Sequence, residues 1–193
     1  MEYVDLPLLK EYVNEQTTSA DALLTQCLKT ACRQIESQTG RRFYQDELAT
    51  SRTYSVAGRL VHEADADLLI VDDIASAVGL LVETGNGTSW TAVTDYDLEP
   101  ENALALGRPA TYLRRSSWGG YGRTRVRVTA RWGWPAVPEE VVQATLMQAA
   151  RLWKRKDSVD GMRGSEEFGF LRVARMDSDV QALLRPFIIK SVG

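Results

Sequence analysis

Histidine is nearly missing from this sequence. His62 is the single one in 193 residues, so neither a multi-histidine metal site nor a histidine-based proton relay can be built. Cysteine is almost as scarce. Cys27 and Cys32 lie five apart on a predicted helix, which points them to different faces and leaves them unpaired. An excess of positive charge is lacking too: the net charge is −3 and the sequence pI about 5.3, which excludes a chain that is basic throughout and binds nucleic acid with its whole surface. No apolar run approaches the roughly 20 residues that span a bilayer. The opening MEYVDLPLLKEYV is acidic and amphipathic rather than basic then apolar, so it does not read as a secretory signal. With two unpaired thiols, the expectation is a reducing cytoplasm. Gly-x-Ser-x-Gly, Walker and dinucleotide-binding signatures are missing as well.

What is present is ordinary for a globular chain, at 44% hydrophobic and 25% charged residues. Helical signals stand at both ends. Leu6, Leu9 and Val13 mark a short helix from Asp5 to about Glu15. A second runs from about Ala20 to Gln38 with Leu23, Leu24, Leu28, Ala31 and Ile35 as its apolar stripe; Thr17, Thr18 or Ser19 supplies its cap and Gly40 its stop. Between Thr50 and Trp132 the signal changes to short strands, predicted at 53–56, 68–71, 78–83, 90–93, 103–106, 112–115 and 125–132, with Asn86-Gly87 as a hairpin turn. In the last of these, Val126, Val128, Ala130 and Trp132 alternate with Arg125, Arg127, Thr129 and Arg131, the period of a half-buried strand. Gly133-Trp134-Pro135 ends it. Pro138 opens a long helix with Glu139 and Glu140 at its positive end, Val142, Leu146, Ala149 and Trp153 along one stripe, and Lys154-Arg155-Lys156 at its negative end. A Gly-rich charged loop follows, then an apolar tail with a short helix over 178–187.

Helices, strands, then helices again predict an α+β fold: a helical domain with an inserted β-rich domain, sandwich or barrel-like, and a C-terminal arm. The expected boundaries are 1–49 for the first helices, 50–132 for the inserted domain, 133–160 for the long helix and 161–193 for the arm.

Chemistry is sparse. The run His62-Glu63-Ala64-Asp65-Ala66-Asp67 fits no Ca²⁺ loop and reads as a solvated turn. Asp72-Asp73 and Asp95-Tyr96-Asp97 read as surface turns rather than a carboxylate pair. Cys27 and Cys32 read as small core residues. The polar feature that stands out is the arginine stripe Arg123, Arg125, Arg127 and Arg131, with Arg114 and Arg115 on the preceding strand. Either it is a solvated sheet face whose arginines pair with neighbouring acids, or it meets a nucleic-acid backbone or an acidic patch on a partner. Trp132, Trp134 and Trp153 are core residues or, alternatively, part of a subunit contact. The apolar tail either folds back on the body or docks into a partner.

Three stretches then carry a resemblance: Asp21-Ala22-Leu23-Leu24 through Ala31, Ile35-Glu36 and Thr39-Gly40-Arg41-Arg42-Phe43; Val126 to Ser158, with Val137-Pro138-Glu139 opening the helix and Trp153 near its end; and Phe168-Gly169 to Phe187. In order and spacing the chain resembles the head–tail connector (adaptor) proteins of long-tailed double-stranded DNA phages and related gene-transfer particles. The resemblance implies a virion structural protein rather than an enzyme, with no cofactor and no metal. It implies a ring, usually dodecameric, beneath the portal protein in the particle neck. That ring extends the DNA channel, touches the passing duplex without sequence specificity, and offers the docking surface for a stopper or tail-completion protein; assembly takes place in the host cytoplasm. It further implies an arm inserted into the portal, here carried by Phe168, Phe170, Leu171, Leu183, Leu184 and Phe187, and subunit contacts through the rigid helices, at Trp153 and Arg155. Arg123, Arg125, Arg127 and Arg131 are then candidates for the channel or a subunit interface. The alternatives are a stopper or tail-completion ring, and a nucleic-acid-binding accessory factor; no nucleophile–base pair supports a small hydrolase.

Overall fold

A computed structural model describes residues 2–119, 122–155 and 177–189. The chain is α+β and divides into two compact units, Met1–Arg41 with Val137–Gly193, and Arg42–Ala136.

The first unit is helical. Helix α1 (Leu6–Val13) is opened by Asp5, whose carboxylate accepts the Leu8 N–H at 3.2 Å, and closed by Asn14 in the left-handed conformation that satisfies the last carbonyls. Helix α2 (Asp21–Thr39) stops at Gly40, whose φ of 71° is the left-handed cap the sequence predicts. Its start differs from expectation. No Thr or Ser side chain caps it; a 3-10 turn over Thr18–Ala20 runs straight into the helix, and Thr18 O accepts the Asp21 N–H. Leu24, Leu28, Ala31 and Ile35 are buried as predicted, but Leu23 lies off the stripe, 41% exposed. Helix α3 (Glu139–Arg155) begins where Pro138 O accepts the N–H groups of Val141 and Val142. Its buried face includes Val141, Leu146, Ala149 and Trp153, with Val142 only half-buried. Helix α4 (Ser178–Leu184), continued by a 3-10 turn over Arg185–Phe187, packs on α3 through fully buried Val180 and Leu184.

The second unit is an antiparallel sheet of seven strands: β1 (Thr50–Ser55), β2 (Leu60–His62), β3 (Asp67–Gly85), β4 (Trp90–Val93), β5 (Asp97–Glu99), β6 (Ala110–Arg115) and β7 (Arg125–Trp132). Its order is β1-β7-β3-β6-β5, with β2 and β4 also pairing with β3. Strand β3 is the hub. Its first half runs between β2 and β6, its second between β7 and β4, so two four-stranded half-sheets, β2-β3-β6-β5 and β1-β7-β3-β4, share one strand. The inward residues of both halves, among them Leu69, Ile74, Val82, Leu113, Val126, Val128 and Trp132, form one core.

Three sequence expectations are corrected here. The strands predicted at 68–71 and 78–83 are one strand, so Asp72-Asp73 is mid-strand and not a surface turn. Asp73 is buried and accepts the Trp134 indole N–H at 3.1 Å, while Asp72 accepts from Arg52 and Tyr54. The polarity that suggested a turn is neutralised by these partners. Between Ser76 and Leu81, β3 advances five residues while β7 advances two, a large bulge with Gly79 at φ 75°. The segment predicted as a strand at 103–106 is instead a 3-10 turn, Leu104–Leu106, closed by Gly107. Strands β2 and β5, three residues each, are too short to show a period.

Candidate functional site

Strand β7 lies between β1 and β3, with its even-numbered residues in the core and its odd-numbered ones turned outward. Arg125, Arg127 and Arg131 of the predicted stripe therefore do share one face, whereas Arg123 lies in the turn that precedes β7. On that face they have different surroundings. Arg127 grips Glu83 across the β7–β3 pair in a two-pronged bond, Nε and Nη2 each donating to one carboxylate oxygen at 2.7 Å. Its guanidinium also stands over the Trp90 ring, 4.4 Å from the centroid. These bonds hold the Glu83 carboxyl below the usual range and push the Arg127 guanidinium up. Arg125 Nη1 donates to Ser55 Oγ at 2.8 Å on β1. Among the described residues, Arg131 and the exposed Arg123 have no ion-pair partner.

On the other half-sheet the arginines are paired as well. Arg114 donates to Asp65 at 2.8 Å and lies 3.6 Å from Glu63; Arg115 donates to Asp95 at 3.0 Å and so lowers that carboxyl's pKa. His62 Nδ1 is 2.6 Å from Asp67 Oδ1 across the β2–β3 hairpin. Among the described residues no group of three or more His, Cys, Asp or Glu could hold a metal, and no helix is long and apolar enough to cross a membrane. Cys27 and Cys32 are buried and form no disulfide, and burial pushes the Cys32 thiol up, away from the reactive thiolate.

The described part of the tail, residues 177–189, is folded back. Leu184 is fully buried within its own helical unit, while Leu183 and Phe187 are half-buried. Phe187 O accepts from Arg41 Nε at 2.8 Å, Ile189 N donates to Thr39 O at 3.0 Å, and the Ile189 side chain covers Gly40. Phe168, Phe170 and Leu171 lie outside the described residues. Trp153 is buried near the end of α3 and Arg155 is exposed two residues on. Sequence reading missed Glu83 and Trp90 as the partners of Arg127, and Thr39 and Arg41 as anchors of the tail. The corner Thr39-Gly40-Arg41 was visible as a helix stop, but its second task depends on a segment 146 residues away.

No family model matches the sequence, and no curated protein matches it. Solved structures do. A chain from the neck of an empty GTA particle, computed with C6 symmetry, is similar over 99% of this chain and 92% of its own length. The identity is 17% and the TM-score 0.55. This chain shares its fold. A chain from the neck of a native GTA particle, computed with C12 symmetry, aligns over 100% and 97% of the two lengths at 19% identity, with a TM-score of 0.45.

Proposed function

We propose that this protein is a structural component of a virion neck: a head–tail adaptor that binds the portal vertex as a dodecameric ring, extends the DNA channel and receives the stopper or tail-completion protein. One observation carries the reading, the likeness of fold over nearly the whole of both chains to a component of a GTA particle neck. The symmetry with which that neck was computed supports the homo-oligomeric part. The reading assigns no catalytic step and no cofactor to this chain. The helical unit is the connector domain, with exposed Arg155 at its subunit contact and Trp153, buried in its own chain, supporting the helix end from within; residues 50–132 form the inserted domain and 161–193 the arm. Because Leu184 already lies buried in its own chain, the arm meets the portal through Phe168, Phe170 and Leu171, with Leu183 and Phe187 at its base. Because Arg127 carries its own counter-ion, the positive charge left for passing DNA comes from Arg123, Arg125 and Arg131.

The test is electron microscopy of particles made without this gene. Filled capsids that lack tails and leak DNA, rescued by adding purified protein, are expected. Tailed, infectious particles formed without it refute the reading. Ending the chain after Gly164 is expected to abolish portal binding; retained binding refutes the arm.

A further inference from the structure

Among the described residues, half-sheet β1-β7-β3-β4 has two free edges, and so does its counterpart β2-β3-β6-β5. The two halves treat their edges differently. In the second half, β5 is only three residues long, carries Asp97 and Glu99, and is followed by Pro100. Strand β2 is also three residues, set between Arg59 and Glu63. Short length, charge and proline are the devices by which sheets keep other strands off their edges. The first half has only one of them, the short length of the four-residue β4. Strand β1, Thr50-Ser51-Arg52-Thr53-Tyr54-Ser55, is six residues long, with Thr50, Ser51 and Thr53 exposed and β7 its only strand partner among the described residues. Its one charge does not guard the edge. Arg52 is turned onto the Trp132 ring, 4.3 Å from the centroid, and bonded to Asp72 at 2.7 Å. Strand β4, Trp90-Thr91-Ala92-Val93, has no charge and no proline, and among the described residues pairs only with β3.

Strand direction makes these two edges complementary. β1 is antiparallel to β7, β7 to β3, and β3 to β4, so β4 runs opposite to β1. A second copy placed beside the first by rotation about an axis along the strands brings its β1 antiparallel against the first copy's β4, continuing the alternation. This contact is head-to-tail, the kind that closes into a ring. We propose that β4 of one protomer adds to β1 of the next by backbone hydrogen bonds, joining the half-sheets of successive copies. The proposal rests on the homo-oligomeric part of the neck reading and deepens it by naming the surfaces.

Hydrogen exchange on the full-length protein, dilute and then at millimolar concentration, tests it. On self-association, amides in both β1 and β4 are expected to slow by about tenfold or more, as newly paired strand amides do. A protein that stays monomeric overturns the proposal, as does an oligomer whose β1 and β4 exchange unchanged. Slowing in β1 alone means a two-fold β1–β1 dimer and overturns it too. Two edge-guarding variants give an independent check. Ser51→Lys blocks β1; Ala92→Lys blocks β4 while placing its charge opposite Glu83 of its own sheet. Each alone is expected to be a folded monomer, and an equimolar mixture a heterodimer, because each supplies the edge the other has lost. A mixture that stays monomeric refutes head-to-tail pairing. Failure here with tailless particles in the gene deletion removes the edge contact alone; tailed particles in that deletion remove the neck reading itself.

Discussion

Arg127 and Glu83 show how one pair of residues changes the meaning of a charged stripe. Four arginines at alternate or near-alternate positions suggest a surface for phosphates, yet a two-pronged ion pair cancels one of them within the protein. The Glu83 carboxyl is held low by that bond, so its stabilising effect is complete above the ordinary carboxylate pKa of about 4.3 and is lost as pH falls through its lower folded value. Glu83→Gln is therefore expected to flatten the fall in stability below about pH 4, measured as urea midpoints over a pH series. The effect is small because solvent screens the pair. Gly133 is constrained more severely. Its φ is 105°, and a Cβ there collides with the Tyr44 carbonyl oxygen, so Gly133→Ala is expected to displace the Tyr44 backbone and lower the melting temperature by several degrees or more. Arginine alternation was legible residue by residue; the acid 44 positions away was not, because only strand register brings it there.

Among the elements, those with a strong period and marked ends were readable. Strand β7 has the predicted boundaries, since apolar and polar residues alternate without a fault and Gly133 ends it. Helices α2 and α3 lie within a residue or so of expectation, at Gly40 and Pro138. Strand β3 was misread as two because Asp72-Asp73 and Gly79 look like breaks. What overrides them is tertiary: a buried indole N–H for Asp73, a guanidinium for Asp72, and a bulge that absorbs the glycine. The segment 103–106 failed for the opposite reason, an apolar run too short to distinguish strand from turn. Helix α4 was legible as a helix, and its docking was left open between self and partner. With seven residues it cannot hold its shape alone and relies on Val180 and Leu184 against α3. Leu184→Ala is expected to cost about 2–4 kcal/mol, read as a loss in the stability of the helical unit by thermal or urea unfolding, and to speed exchange at the Ile189 amide.

For the molecule as a whole, the α+β class followed from the succession of helical, strand and helical signals. The division into two units gives a direct prediction. Residues 42–136 contain a complete core, from Tyr54 and Val56 to Trp132, so expressed alone they are expected to fold, giving a dispersed amide spectrum and cooperative melting. A collapsed, poorly dispersed spectrum counts against the unit's independence.

The central place of β7 in its half-sheet also sets an order in time. During synthesis β1 leaves the ribosome first and β3 follows, but they are never neighbours; the strand that belongs between them begins at Arg125, 70 residues after Ser55. At about 5–20 residues per second, β1 waits roughly 4–14 s for its partner. Throughout that interval the nascent chain carries a hydroxyl-rich, almost uncharged strand with both edges open, in a cell that is making many copies of the same strand on neighbouring ribosomes. The chain's vulnerable moment is therefore its own translation, and crowding of polysomes on one message is where mispairing has its best opportunity.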